Sequence, residues 1–345
     1  MKILIIKLGA LGDVIRTSYF LPELNRLFPG AEIYWLTNSN AVDLLRFNPY
    51  ISHILCTDIG DSWKSKEPIN FDIIYSFDDE IDSLEVLKNL KFKRIVGAFL
   101  DGEQITYTED SNPWFNMGLI SKLGKTQADI LKRENTLTHT EIFNSILHTN
   151  TTSPSFFNDK KIELRVTDKY LPQYYHLGLN LWAGQRWPSK SLRLREAELL
   201  IKKLVGIVFP KPLKINVLGK ELQDGERLLK EKFGHDKRVI FQEPVSLPEF
   251  AAIIKNLDLL ITSDSMALHM AIAQGIYSIS FYAPTSATEI DTFGKGKKIT
   301  SMTEDYCSYR GDADNSTLTA DRIINEVKKH LRTYKSKVKS LDLSK

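Results

Sequence analysis

Cysteine is nearly absent from this chain: Cys56 and Cys307 are the two among 345 residues. They lie far apart and fit no CxxC or metal-ligand spacing, and such sparse usage suits a reducing compartment. An excess of one charge is lacking too. Lys and Arg number 46 against 43 Asp and Glu, a net +3, which gives no electrostatic reason to expect nucleic acid as a partner. No run of about 18 apolar residues occurs, so no membrane-spanning helix is expected. The apolar opening is interrupted by Lys7 and Asp13 and does not read as a secretion signal. On that footing the glycosylation sequons at Asn150 and Asn315 are chance matches. What remains, with 42% hydrophobic and 26% charged residues, is a soluble globular protein long enough for about two domains.

The pattern along the chain is α/β. Apolar runs of strand length occur at 2–7, 31–37, 51–58, 71–78 and 94–100, separated by amphipathic segments at 13–29, 41–49 and 83–90. Residues 101–150 break this rhythm, with Trp114, Phe115 and a helix expected at 138–147. The stretch TTSPSFFNDK at 151–160 has the composition of a linker. Alternation resumes with strands at 175–184, 213–219, 238–243, 259–264 and 277–284. Helices are expected at 194–207, 224–234, 247–257, 265–275 and 320–335. The βαβ order predicts parallel sheets covered on both faces, in two Rossmann-like domains with a cleft between them. The expected limits are 1–155 for the first domain, 156–175 for a linker region and 176–317 for the second. A C-terminal helix and basic tail, 318–345, is suited to crossing back to the first domain.

The turn after the first strand, Gly9-Ala-Leu-Gly12-Asp13, does not have the GxGxxG spacing of a dinucleotide site. The second strand ends Leu36-Thr37-Asn38 without the acid that would hold a ribose. A Walker loop is absent as well, so no NAD or other cofactor is expected. Gly9 and Gly12 permit a tight turn and close approach of another molecule. Asp13 has two readings: a helix cap, or a general base at the C-terminal edge of a strand, where open α/β sheets bind ligands. Asp78-Asp79-Glu80 is the nearest thing to a metal-binding acidic cluster and reads as a solvated loop; no metal is expected.

In the second half, a strand delivers Thr262-Ser263-Asp264-Ser265 to the start of a helix, whose first amides lack internal partners and carry the positive dipole end. That suits a diphosphate, with the Ser265 hydroxyl as an added donor; a plain Ser/Asp cap is the alternative. His269 alone reads as a half-buried core histidine. Arg186, Lys190 and Arg193 cluster after Gly184 as cations for a leaving diphosphate, or as a solvated basic loop. Glu221, after a strand and a glycine turn, suits ribose hydroxyls or the surface equally.

Together, ILIIKLGALGDVIRTSYFLPELNRLFPGAEIYWLT near the N-terminus and LPEFAAIIKNLDLLITSDSMALHMAIAQGIYSISFYAPTS at 247–286 resemble glycosyltransferase family 9, the lipopolysaccharide heptosyltransferase family. The resemblance runs in register over most of the chain and is weakest across 101–160 and after 300. It implies a GT-B architecture and metal-independent, inverting transfer of a sugar from a nucleoside diphosphate donor, ADP-heptose in the family, to a glycan or lipid-linked acceptor such as a lipopolysaccharide core. By position, Asp13 matches the family's proposed base, with Gly9, Gly12 and Arg16 in the acceptor-side loop. Asp264, Ser265, Met266, Ala267 and His269 match the donor diphosphate motif, Glu221 a ribose-binding acid and Lys190 a basic position of many members; Arg186 is a further cation of the donor side. Three departures stand out. Met266 replaces a common Gly, Gln185 stands where some heptosyltransferases have Lys, and the family's cysteine-rich segment is reduced to Cys307.

The implied location is the cytoplasm. The tail at 328–345 suits peripheral contact with an anionic membrane surface, or is a solvated terminus. A nucleotide-sugar epimerase or hydrolase of the same fold, and a non-catalytic sugar-nucleotide binding protein, are the alternatives.

Overall fold

The structure, a computed structural model, describes residues 1–58, 69–184, 187–219 and 224–342. Contacts divide the chain into two units, Met1–Asp159 with Thr288–Phe293, and Lys160–Ala287 with Gly294–Lys345.

The first unit is built on β1 (Lys2–Ile6), β2 (Glu32–Thr37), β3 (His53–Cys56), β4 (Asn70–Ser76), β5 (Lys91–Asp101) and β6 (Gln104–Tyr107), in the order β3-β2-β1-β4-β5-β6. The first five are parallel; β6 folds back antiparallel on β5. Ile3 to Ile6 of β1 and Trp35 of β2 are fully buried. Each such side chain contributes roughly 1.5–3 kcal/mol on leaving water, and this is why the opening run forms the central strand. The amphipathic stretch after β1 makes two helices, Leu11–Ser18 and Leu21–Leu27. The break falls where Pro22, in the first turn of the second helix, cannot supply an amide to a continuous one.

The second unit holds β7 (Tyr175–Asn180), β8 (Leu213–Val217), β9 (Val239–Phe241), β10 (Leu259–Ser263), β11 (Ser278–Tyr282) and β12 (Gly296–Thr300), all parallel, ordered β12-β11-β10-β7-β8-β9. Traced from its own first strand, it repeats the strand order of the first unit. In each, the first strand has the second on one side and the fourth on the other. That reversal opens a crevice beyond the carboxyl ends of β1 and β4, and again beyond β7 and β10, the positions where doubly wound sheets take ligands.

The boundary falls between residues 159 and 160. Residues 160–175, expected within a linker, are not all loose connection. Helix Lys160–Thr167 is tied to helix Leu247–Lys255 by Arg165 to Glu249 at 2.6 Å and by Lys255 to Glu163 at 2.8 Å, ion pairs that composition does not reveal. Thr288–Phe293 belongs with the first unit. The Glu289 carbonyl accepts from the His139 amide at 2.8 Å, and the Phe293 ring meets Tyr19 edge-on. The C-terminal helix, Ala320–Asp342, buries Ile323, Ile324, Val327 and Leu331 in the core of the second unit. It packs there beside helix Leu194–Val205. Among the described residues no helix is long and apolar enough to cross a membrane.

Candidate functional site

Two clusters lie at the two crevices. In the first unit, β1 and β4 run side by side with Ile6 opposite Ser76, so the residues following each strand meet. Lys7 pairs with Asp78 and donates to the Phe77 carbonyl at 3.2 Å, while the Leu8 amide donates to the other Asp78 oxygen. Burial pulls the Lys7 ammonium down, but the carboxylates of Asp78 and then Asp13 outweigh it, so Lys7 titrates above an ordinary lysine. Asp79, whose carboxyl burial pushes up, accepts from the Tyr107 hydroxyl at 3.3 Å. The acidic triplet is therefore not the solvated loop expected from sequence: Asp78 and Asp79 brace the turn, and Glu80 alone of the three is exposed.

Asp13 is the third residue of helix Leu11–Ser18. The N-cap is Ala10, and it makes no side-chain capping bond. The Asp13 carboxylate is one-third exposed and pairs with Arg16 at 2.8 Å. Arg16 lies with its guanidinium carbon 5.1 Å over the ring of Trp114, which is set edge-on against His139 and Phe143. The carboxylate gains from the helix dipole without being the cap. A Cβ added at Gly9 would meet nothing within 4 Å, so the turn is open on that side.

In the second unit, β10 ends on Ser263 and helix Met266–Ala273 starts three residues later, with Ser265 as its N-cap. The Ser265 carbonyl takes the amides of Leu268 and His269 at 3.0 and 3.4 Å, leaving Met266 and Ala267 as first-turn amides without an intrahelical acceptor. The Ser265 hydroxyl accepts from Asn180, at the end of β7, at 2.9 Å, and Asn180 also holds Thr262 at 3.1 Å. These bonds set the cap in place, and the Ser265 hydroxyl also lies 3.3 Å from that of Thr262, which itself donates to the Ser263 carbonyl at 2.9 Å, so a ligand would draw the Ser265 proton away from Thr262.

Asp264 is buried. One carboxylate oxygen accepts from Lys190 at 2.8 Å and from the Thr285 hydroxyl at 2.7 Å; the other lies 3.9 Å from Nε2 of His269. Burial would raise this carboxyl, but the Lys190 ammonium, His269 and the two hydrogen bonds overcome it and hold Asp264 at about 2. Asp264 is thus a counter-ion within the protein, and it fixes the Lys190 ammonium in the crevice. His269, 7% exposed, lies beside this ion pair and not in the core alone. A folded value below the ordinary 3.8 contributes stability that is complete above about pH 4 and lost as pH falls towards 2, roughly 2 kcal/mol in all. The stability advantage of wild type over Asp264→Asn in urea unfolding should therefore shrink across that window. A gap that stays constant would mean the carboxylate charge is not what stabilises.

Lys190 sits in the turn Pro188–Lys190, with the ring of Trp187 edge-on to Tyr309. Arg193 points instead to Asp314 and Asn315. Gln185, Arg186 and Glu221 lie outside the described residues. Sequence reading missed Asn180 and Thr285. Asn180 is the last residue of β7 and Thr285 lies just past the end of β11, and both strand ends converge on Asp264-Ser265, so strand order would have found them.

Residues 202–318 match the family model described as Glycosyltransferase family 9 (heptosyltransferase). That span includes Asp264, Ser265, His269 and Thr285 but neither Asp13 nor Lys190. No curated protein matches the sequence. Among solved structures, the chain resembles a glycosyl transferase family 9 protein from Veillonella parvula, with TM-score 0.71 and 16% identity over 96% of this chain and 97% of that one. It also resembles the E. coli ADP-heptose lps heptosyltransferase II, with TM-score 0.66 and 14% identity over 97% and 100%. A third is E. coli heptosyltransferase WaaC with ADP, with TM-score 0.63 and 16% identity over 95% and 99%. At these identities the likeness is one of fold, the GT-B fold of two parallel-sheet units.

Proposed function

We propose that this chain, which carries a glycosyltransferase family 9 domain on a heptosyltransferase-like fold, moves a sugar from a nucleoside diphosphate donor to a glycan or glycolipid acceptor. The transfer inverts the anomeric centre. Asp13 removes the acceptor hydroxyl's proton as the new bond forms, and the leaving diphosphate collects on the amides of Met266 and Ala267, the Ser265 hydroxyl and Lys190. In this reading those groups, without a metal ion, offset the charge that develops on the departing oxygen. The observation that carries the proposal is Lys190 held by Asp264, itself fixed by the Thr285 hydroxyl, beside an open helix N-terminus at the crevice of the second unit. Lys190 stands in for the lysine that Gln185 replaces, and Asp264 acts by positioning it.

Arg186 and Glu221 are assigned to the donor side, as phosphate cation and ribose acceptor. Gly9, Gly12 and Arg16 shape the acceptor side. Solved relatives are described with ADP and ADP-2-deoxy-2-fluoro heptose, which makes ADP-heptose the first donor to try and a lipopolysaccharide core the first acceptor. Such an acceptor is made at the cytoplasmic face of a bacterial inner membrane, and the basic tail suits contact with that anionic surface. The test is release of nucleoside diphosphate from a panel of sugar donors, with and without acceptor. Release that requires acceptor is expected. Equal release without acceptor would make the protein a hydrolase or epimerase, and binding without release a non-catalytic receptor.

A further inference from the structure

Lys190 is the last residue of a single 3-10 turn, Pro188–Lys190, and such short pieces have poorer hydrogen-bond geometry than an α-helix. The segment after β12 supplies the missing support. The Asn315 side-chain amide donates to the carbonyls of Ser189 at 3.2 Å and Ser191 at 2.8 Å, the two residues flanking Lys190. Its side-chain oxygen accepts from Arg193 at 2.7 Å. The same turn is pinned from the other side, where the Ser189 amide donates to the Gly311 carbonyl at 3.2 Å and its hydroxyl to the Arg310 carbonyl at 3.0 Å. Ser191 in turn accepts from the Ala183 amide at 3.1 Å. Both N–H donors of one carboxamide are therefore spent on the residues flanking Lys190, and its oxygen on Arg193 just beyond the turn.

We infer that Asn315 is a positioning residue for donor binding: by clamping the carbonyls on either side of Lys190, it fixes the ammonium at the diphosphate site. Asn315 heads the sequon that composition alone leaves as a chance match, and its carboxamide is committed inside the fold. The inference rests on the reading of Lys190 as a diphosphate-binding cation and extends it to the residue that aims it. Asparagine is suited to this place because it presents two donors to two carbonyls and one acceptor to a guanidinium. Aspartate of the same shape keeps the acceptor and loses both donors.

The test measures ADP affinity by calorimetry, and donor and acceptor KM, on the full chain, with thermal melts confirming that each variant is folded. Asn315→Ala should weaken ADP binding about tenfold, the scale of losing one to two hydrogen bonds, and raise donor KM with acceptor KM unchanged. Asn315→Asp should do the same although it retains the partner of Arg193. In a Lys190→Gln background, Asn315→Ala should have no further effect on ADP affinity, because a residue that acts through Lys190 has nothing left to aim. Wild-type affinity in either Asn315 variant, with Lys190→Gln impaired, would overturn the clamp and leave the Lys190 reading standing. The same loss in both backgrounds would also overturn it. Unchanged ADP affinity in Lys190→Gln itself would overturn both the clamp and the reading beneath it.

Discussion

Asp13→Asn is expected to lower turnover by roughly 10²–10⁴-fold, the range that a positioned general base contributes, while ADP affinity stays at the wild-type value. The substitution is isosteric and keeps a hydrogen-bonding group beside Arg16, which now pairs with Asp13 at 2.8 Å. Asp13 is not the cap of its helix, so its loss does not unpick the fold locally. The pair with Arg16 is part-buried, with the Arg16 side chain 12% exposed, and the asparagine oxygen can still accept from the guanidinium, which limits the loss of stability. A fall in turnover of this size with an unchanged melting temperature thus reads as lost proton transfer. Turnover within a few-fold of wild type would remove Asp13 from the reaction.

Lys190→Ala should give the second large effect, and on two quantities at once. Asp264 would be left buried with its principal counter-ion gone, which typically destabilises by about 3–5 kcal/mol, and donor affinity should fall. Unfolding in urea measures the first and calorimetry with ADP the second. A double replacement, Lys190→Met with Asp264→Leu, separates them, because exchanging a whole buried ion pair for apolar side chains is often neutral. Stability should largely return in the double variant, whereas donor affinity should not. Restored donor affinity without either charge would show that the pair serves the fold alone.

The alternation of apolar runs and amphipathic segments makes the two parallel sheets legible, because buried parallel strands read as continuous apolar stretches such as ILII at 3–6. Two strands escaped. β6 is the edge strand, a short hairpin partner of β5 within the aromatic segment, and β12, Gly-Lys-Lys-Ile-Thr, is an edge strand with exposed lysines and no apolar run. Helix starts after β1 and β10 were visible as short motifs, which is why Asp13 and Ser265 could be picked out. The pairing of Lys190 with Asp264, 74 residues apart, is set by β7 lying beside β10 and is invisible in local spacing. Thr285 is hidden for the same reason, arriving from β11. Asp78 was misjudged because an acidic run after a strand looks solvated until β4 is known to lie against β1, where Lys7 waits. Asn315 carries a surface-type motif in the sequence and is turned inward in the fold.

The central claim is that the two sheets, alike in strand order, divide the labour: the turn with Asp13 has become the proton acceptor, and the helix start at Met266 holds the diphosphate. A crystal structure with ADP bound tests it most directly. The account predicts diphosphate oxygens within hydrogen-bonding distance of the Met266 and Ala267 amides and of the Lys190 ammonium. Diphosphate seated on the Gly9–Asp13 turn, with those amides and Lys190 untouched, would contradict it.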